Sequence, residues 1–285
     1  MRHCNIPIFI PHLGCPYDCI YCDQKKISAQ TKAPDDQEIL HIIDQHLATI
    51  VRPAEIEAAF FGGSFTAIRP DLQENYLRLI QPYIQQDLIQ GIRISTRPDC
   101  INNQVLDLLY RYGVKTIELG VQSLDNEVLR QSGRIYQAED VEKSSALIKE
   151  SGFKLGIQLM VGLPGDNYDR DLETVRRTVA IAPQMVRIYP TLVLAGTKLE
   201  HMWQEGKYQA LRLEEAVPVC RDMLLQFARA EIPVIRLGLY PGEELRKEGT
   251  VMAGPFHPSF GELVEQAIFQ EQAVLAVRLY QQRFD

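Results

Sequence analysis

Four stretches of the chain alternate strictly between aliphatic and polar or glycine positions. Across residues 116–122, Ile117, Leu119 and Val121 fall on one side and Glu118, Gly120 and Gln122 on the other. Across 154–162, Leu155, Ile157, Leu159 and Val161 oppose Lys154, Gly156, Gln158, Met160 and Gly162. Ile92 and Ile94 oppose Arg93, Ser95 and Arg97, and Val186 and Ile188 oppose Arg187 and Tyr189. A period of two is the mark of a β-strand with two unlike faces. Candidate strands begin near Ile6, Ile56, Gly91, Thr116, Lys154, Met185 and Pro233. Between them the apolar period lengthens to that of helices, over 37–50, 71–86, 103–112, 139–151, 169–182 and 213–230. Strands alternating with helices predict right-handed βαβ units and a parallel sheet.

The rival architectures are a doubly wound open sheet and a (β/α) barrel. Strands of an open sheet are covered by helices on both faces and are apolar on both. Here one face of each strand is polar or glycine-rich, so the pattern predicts an α/β fold built as a partial or full (β/α) barrel, with helices outside and a ligand-lined lumen. We assign residues 1–248 to this domain. Residues 249–285 change character: a loop, then a helix over 261–280, read as a short C-terminal cap or subdomain.

The 285 residues carry 30 Lys and Arg against 37 Asp and Glu, a net charge of −7. That balance argues against a protein built mainly to coat nucleic acid. No uncharged apolar run is long enough for a membrane span, and the first residues carry no signal-peptide pattern. Six cysteines are too sparse for a disulfide scaffold, and three of them, Cys15, Cys19 and Cys22, crowd into one segment after the first strand. That segment lies on a C-terminal loop of the strands, where barrel active sites are found. Three readings are open for it. The thiols are structural; or they bind zinc, with Cys4 or His12 as fourth ligand; or three thiolates hold a [4Fe–4S] cluster that keeps one iron open to a substrate or cofactor.

The CxxxCxxC spacing, with the aromatic Tyr21 before the last cysteine, resembles the signature of the radical S-adenosylmethionine (radical SAM) superfamily. The resemblance implies that Cys15, Cys19 and Cys22 hold a [4Fe–4S] cluster, that S-adenosylmethionine (SAM) is the second cofactor, and that Tyr21 sits beside its adenine. Gly62-Gly63-Ser64 after the second strand resembles the family's GGE-type motif, whose backbone accepts from the SAM ammonium. Ser64 stands where glutamate is frequent. Gly162-Leu163-Pro164-Gly165 resembles the family loop beside the adenine. Among lumen residues, Glu118 suits a ribose diol, Gln122 shares its face, and Gln158 suits adenine or ribose. Arg97 and Arg187 suit a carboxylate as bidentate forks. Tyr189 and His257 are the candidate proton donors near substrate.

The segments Phe61–Thr66, 95–99, 118–123 and 186–190 together resemble the radical SAM domain of the Elongator catalytic subunit, in a group with oxygen-independent coproporphyrinogen oxidase. This implies an enzyme that cleaves SAM reductively and abstracts hydrogen from a substrate, which is a small molecule, a peptide or an RNA base. It also implies an electron donor such as flavodoxin or ferredoxin, and a reducing cytoplasmic setting. The last 45 residues are too few for the Elongator subunit's acetyltransferase domain, so no acetyl-CoA site is expected. The alternative is a non-catalytic metal- or cluster-binding accessory of an RNA-modifying complex.

Overall fold

The computed structural model describes residues 2–15, 19–30 and 32–284. Pro16, Tyr17 and Asp18, read from the sequence as part of an exposed cysteine loop, lie outside the described residues. Seven strands form one parallel sheet: β1 (Arg2–Phe9), β2 (Ala54–Phe61), β3 (Gly91–Thr96), β4 (Val114–Gln122), β5 (Lys154–Val161), β6 (Met185–Pro190) and β8 (Val234–Leu237). Their order in space follows the chain without reversal. A doubly wound sheet reverses at a switch point so that helices cover both faces. An unreversed order with right-handed crossovers puts every helix on one side and curls the sheet around the other. β1 pairs only with β2 and β8 only with β6, so the sheet is a half-barrel with two free edges.

Six long helices make the outer layer: α2 (Asp36–Thr49), α3 (Pro70–Gln85), α4 (Asn103–Arg111), α6 (Ala138–Glu150), α7 (Tyr168–Ile181) and α9 (Leu213–Arg229). Their apolar stripes bury Ile39, Ile43, Leu77, Ile80, Leu109, Val141, Val175 and Met223 against the outward strand residues Ile8, Phe60, Ile94, Ile117, Leu155 and Ile188, all essentially inaccessible. Shorter helices interrupt the loops: α1 (Gln24–Ser28), α5 (Asn126–Gln131), α8 (Lys198–Gln204) and α10 (Glu243–Arg246). A small antiparallel ribbon joins β7 (Val193–Leu194) to β9 (Val251–Ala253), and α11 (Phe260–Phe284) packs on α9 and β8. None of the described helices is long and apolar enough to cross a membrane.

The registers show what shares the concave face. Ser95 lies opposite Glu118, Glu118 opposite Gly156, Gln158 opposite Arg187, and Arg187 opposite Arg236. Paired residues on neighbouring strands point to the same side, so these polar groups line the lumen as the alternation predicts. Gly156 has a steric reason to be glycine. A Cβ there would lie 2.9 Å from Glu118 Cγ.

Candidate active site

The cysteine loop leaves β1 at its C-terminal end and is locked to the loop after β2 by backbone alone. Ile10 N–H donates to Phe61 O and His12 N–H to Gly62 O, each at 2.8 Å, and Ser64 N–H returns to Leu13 O at 3.0 Å. The approach is so close that neither loop tolerates a side chain. A Cβ on Gly63 would collide with Leu13 O and sit 2.7 Å from Ile10 O; one on Gly14 would collide with Ser64 O and sit 2.8 Å from Ile68 N. Gly14 also holds φ of +73°, a region open to glycine without penalty. The first task of the paired glycines is therefore to seat the cysteine loop. Ser64, whose side chain was unassigned from sequence, places Oγ 3.6 Å from Cys15 Sγ. Gln24 Nε2 donates to Cys22 Sγ at 3.4 Å.

The three thiols are free and half-buried. Burial pushes the Cys15 thiol up, as does the neighbouring Cys19, while Ser64, Arg134 and Arg97 work the other way. Burial pushes Cys22 up to about 12, with Cys19 adding and Gln24 and Arg134 opposing. Among the described residues no three His, Cys, Asp or Glu side chains are drawn together as a ready ligand set for one ion. A single ion needs its donors to converge on one point; an iron–sulfur cluster takes each thiolate at its own iron. Three neighbouring thiols facing two guanidinium groups fit an anionic cluster by donor type and by charge. Cys4 and His12, the alternative fourth ligands, are otherwise engaged. Cys4 packs toward the outer core, and His12 Nε2 accepts from Gln24 N–H at 2.9 Å.

Sequence reasoning missed Arg134, which follows α5 in a segment with no periodicity. It is 9% exposed. Its Nε and Nη2 donate to the Tyr21 hydroxyl at 3.2 and 2.7 Å, and its guanidinium lies 6.0 Å from the Tyr21 ring centre and 5.5 Å from that of Tyr136. It forms no ion pair among the described residues. Tyr136 in turn donates to Gly120 O and Val121 O at 2.8 and 3.0 Å, pinning the irregularity at the end of β4. Directly beyond, Gln122 is buried at φ of +70°, strained for a residue with a side chain. Arg97 also lies over the Tyr136 ring, at 5.6 Å, and its fork is closed on Asp99 by two 2.9 Å bonds.

Toward the N-terminal ends of the strands lies a continuous layer of charge. His3 on β1 contacts Glu57 on β2 at 2.9 Å; Glu57 accepts from Arg93 on β3 and from Thr116 on β4; Arg93 reaches on to Glu118 at 2.6 Å. Glu118 also accepts the bidentate fork of Arg187 at 2.7 and 2.9 Å and Gln158 Nε2 at 2.9 Å. Glu57, Arg93 and Glu118 are 2%, 3% and 1% exposed, so this is a desolvated network. Burial alone would raise the Glu118 carboxyl; Arg187 and Arg93 reverse that and hold it ionised. Burial is likewise outweighed at Glu57, where His3, Arg93 and Thr116 bring it to about 2. Four donors fill the four lone-pair directions of the Glu118 carboxylate, so a ribose would have to displace one. The fork of Arg187 is engaged in the same way. Neither pairing was visible as such in the sequence, although alternation placed all these residues on one face.

Tyr189 sits one step further along β6, half-buried, its hydroxyl pushed up by burial and eased by Arg187 and Arg236. His257 lies in the loop before α11, in a small pocket with Pro190, Leu192, Leu239, Phe256 and Phe260, and its Nδ1 accepts from Ser259 N–H at 3.1 Å. The structure thus gathers the cysteines with Tyr21, Ser64, Arg97 and Arg134 at the mouth. Glu118, Gln158 and Arg187 lie in the layer below, and Tyr189 and His257 are at or beyond the end of β6.

Comparison with known proteins agrees with this arrangement. Residues 9–178 match the model of the radical SAM superfamily, and residues 183–270 match the radical SAM C-terminal domain. A tRNA uridine(34) acetyltransferase of Methanocaldococcus infernus is 36% identical over 143 residues, covering 49% of this chain and 26% of that protein. Human Elongator complex protein 3 is 30% identical over 191 residues, covering 60% of this chain and 35% of that protein. The chain therefore spans between about a quarter and a third of these relatives. The solved Methanocaldococcus infernus Elp3 with an N-terminal deletion superimposes with a TM-score of 0.72 at 23% identity, over 95% of this chain and 63% of that one. Escherichia coli coproporphyrinogen III oxidase, titled a radical SAM enzyme, gives 0.56 at 18% identity, over 80% and 53%. At such identities the structural likeness speaks for the fold, and the family match speaks for descent: the chain, with its half-barrel and its CxxxCxxC loop at the mouth, belongs to the radical SAM superfamily.

Proposed function

We propose that the protein is a radical SAM enzyme acting on a base of RNA, with Cys15, Cys19 and Cys22 as the ligands of a [4Fe–4S] cluster. The observation that carries this reading is the meeting of Cys15 with Ser64, and of Cys15 and Cys22 with Arg134, a cation that forms no ion pair among the described residues, at the mouth of a polar-lined half-barrel. When bound, the cluster supplies the electron that cleaves SAM to a 5′-deoxyadenosyl radical. The chain's own residues bind and orient. Arg134, buried and without a carboxylate among the described residues, offers its charge to the SAM carboxylate. Tyr21 holds that guanidinium in place through its hydroxyl and presents a ring to the adenine. Gly62, Gly63 and Ser64 bring main-chain groups beside the cysteine loop for the SAM ammonium. Gln122 and Gln158 face the nucleoside, and Glu118 with Arg187 fixes the floor on which it rests. Tyr189 and His257 stand as proton donors on the substrate side, and residues 249–285 act as a cap over the ends of β6 and β8.

The RNA reading draws on the relatives, among which tRNA uridine(34) acetyltransferases recur. Anaerobic reconstitution followed by incubation with SAM and dithionite tests the catalytic core. Four irons per chain and release of 5′-deoxyadenosine are expected from the wild type, and neither from Cys19→Ala. One zinc per chain with no cleavage would instead favour a non-catalytic accessory protein.

A further inference from the structure

At the free edge of the half-barrel, β8 and the segment after it present a pair of residues, Arg236 and Tyr240, that the site above does not use. Arg236 lies opposite Arg187 in the register and therefore on the lumen face. Its guanidinium carbon is 5.6 Å from the centre of the Tyr240 ring, and its charge acts on the Tyr189 hydroxyl. Among the described residues it forms no ion pair. Tyr240 is 69% exposed, although its backbone is held: Gly242 N–H donates to Tyr240 O at 2.8 Å, and the glycine lies beneath the ring. An anchored aromatic face and a cation that forms no ion pair among the described residues meet at the free edge of the sheet.

We propose that Arg236 and Tyr240 form a stacking platform that receives a base of single-stranded RNA at the open edge of the half-barrel. The inference rests on the RNA reading above and adds the residues that recognise the strand. A nucleobase presents a π-face to Tyr240 while the adjacent phosphate meets Arg236, the combination that binds single strands without reading sequence. The net charge of −7 leaves little general attraction for a polyanion, so stacking rather than phosphate neutralisation carries the affinity, and the salt dependence is shallow.

The test is fluorescence anisotropy of the anaerobically reconstituted protein with a labelled ten-nucleotide oligouridine at several salt concentrations, run beside the SAM-cleavage assay. Tyr240→Ala is expected to weaken binding roughly ten-fold or more and Tyr240→Phe to retain it. Arg236→Gln is expected to weaken binding several-fold and to lower the salt slope by about one. Tyr240 is exposed, so these variants do not threaten folding. Wild-type affinity in Tyr240→Ala, or no binding by a wild type that cleaves SAM, overturns the platform while the catalytic reading stands. Oligouridine binding that depends on Tyr240 in a protein that leaves SAM intact upholds the platform and removes the catalysis.

Discussion

Arg134 Nη2 donates to the Tyr21 hydroxyl at 2.7 Å, and no carboxylate forms an ion pair with that guanidinium among the described residues. A buried cation that meets a phenol and two aromatic rings but, among the described residues, no carboxylate is expensive to hold. The arrangement makes sense where an anion arrives from outside. Arg134→Leu should therefore leave the ligand-free chain no less stable than the wild type while SAM affinity falls by about ten-fold or more. Calorimetry and equilibrium dialysis read the two effects separately. Unchanged SAM binding would remove Arg134 from the site.

The glycines at the loop junction predict a different failure. Gly63→Ala forces a methyl group against Leu13 O, and Gly14→Ala forces one against Ser64 O. Each should destabilise the fold by about 1–3 kcal/mol through overpacking and lower the iron bound per chain. Both substitutions push on the same junction, so the double variant should cost less than the sum. Strict additivity in denaturant titrations would show that the two loops are not coupled.

The charged layer below gives a third expectation. Glu118→Ala strands Arg187 in the lumen and leaves Arg93 with Glu57 alone, and breaking a buried pair of this kind costs about 3–5 kcal/mol. Glu118→Gln keeps the shape and half of the acceptors and should fall between. Urea unfolding measures both. A loss under about 1 kcal/mol for the alanine variant would mean that water reaches the layer.

Two acids near the end of β5 predict the pH dependence. Asp166, after Gly165, and Asp171 on α7 are neighbouring buried acids whose charges act on each other. Burial raises Asp166 to about 6, with Asp125 adding and Asp171 and Arg170 opposing; burial and Asp166 hold Asp171 well above the usual range. Tyr208 and Cys220 are the other titratable neighbours. Raised values mean that the folded chain binds this proton more tightly than the unfolded one. The pair's contribution is thus fully present below the ordinary aspartate range and is lost as pH rises through about 6. Asp171→Asn removes the clash, so its Tm should exceed that of the wild type by a few degrees at pH 8 and match it at pH 5. A constant difference at both values would refute the interaction of the two acids. Glu57 has the opposite sign, and its contribution is lost only as pH falls toward about 2.

The strands and their faces were legible because alternation is a local property. The lumen positions of Arg93, Glu118, Gln158 and Arg187 follow from it directly. The six outer-layer helices were legible within a residue or two, as in 139–151 from pattern against Ala138–Glu150 in the structure, while α11 runs four residues past its expected end at 280. The short helices α1, α5 and α8 were not, since five to seven residues hold too little period, and each depends on one capping side chain, Asp23, Asp125 or Thr197. Pairing was the other limit. For Glu118 the sequence leaves both a ribose and a neighbouring Arg or Lys open as partners, because its two arginines come from β3 and β6 and no spacing announces which cross-strand group fills a carboxylate. Arg134 escaped notice for a related reason. Its importance comes from what folds over it, namely Tyr21 and Tyr136, and a lone arginine in a loop carries no such mark.

The free edges of β1 and β8 carry a last consequence. A closed barrel shields its contents with its own wall, whatever is bound. Here one flank of the lumen has no strand among the described residues, so on the proposed reading a reactive species made inside is shielded on that side by whatever molecule occupies the gap. The substrate is then a structural part of the catalyst, its arrival shutting the reaction chamber that it enters. SAM consumed in its absence should yield mostly product quenched by solvent and reductant, and the fraction of turnovers that end on substrate becomes a measure of how well the guest fits the missing wall.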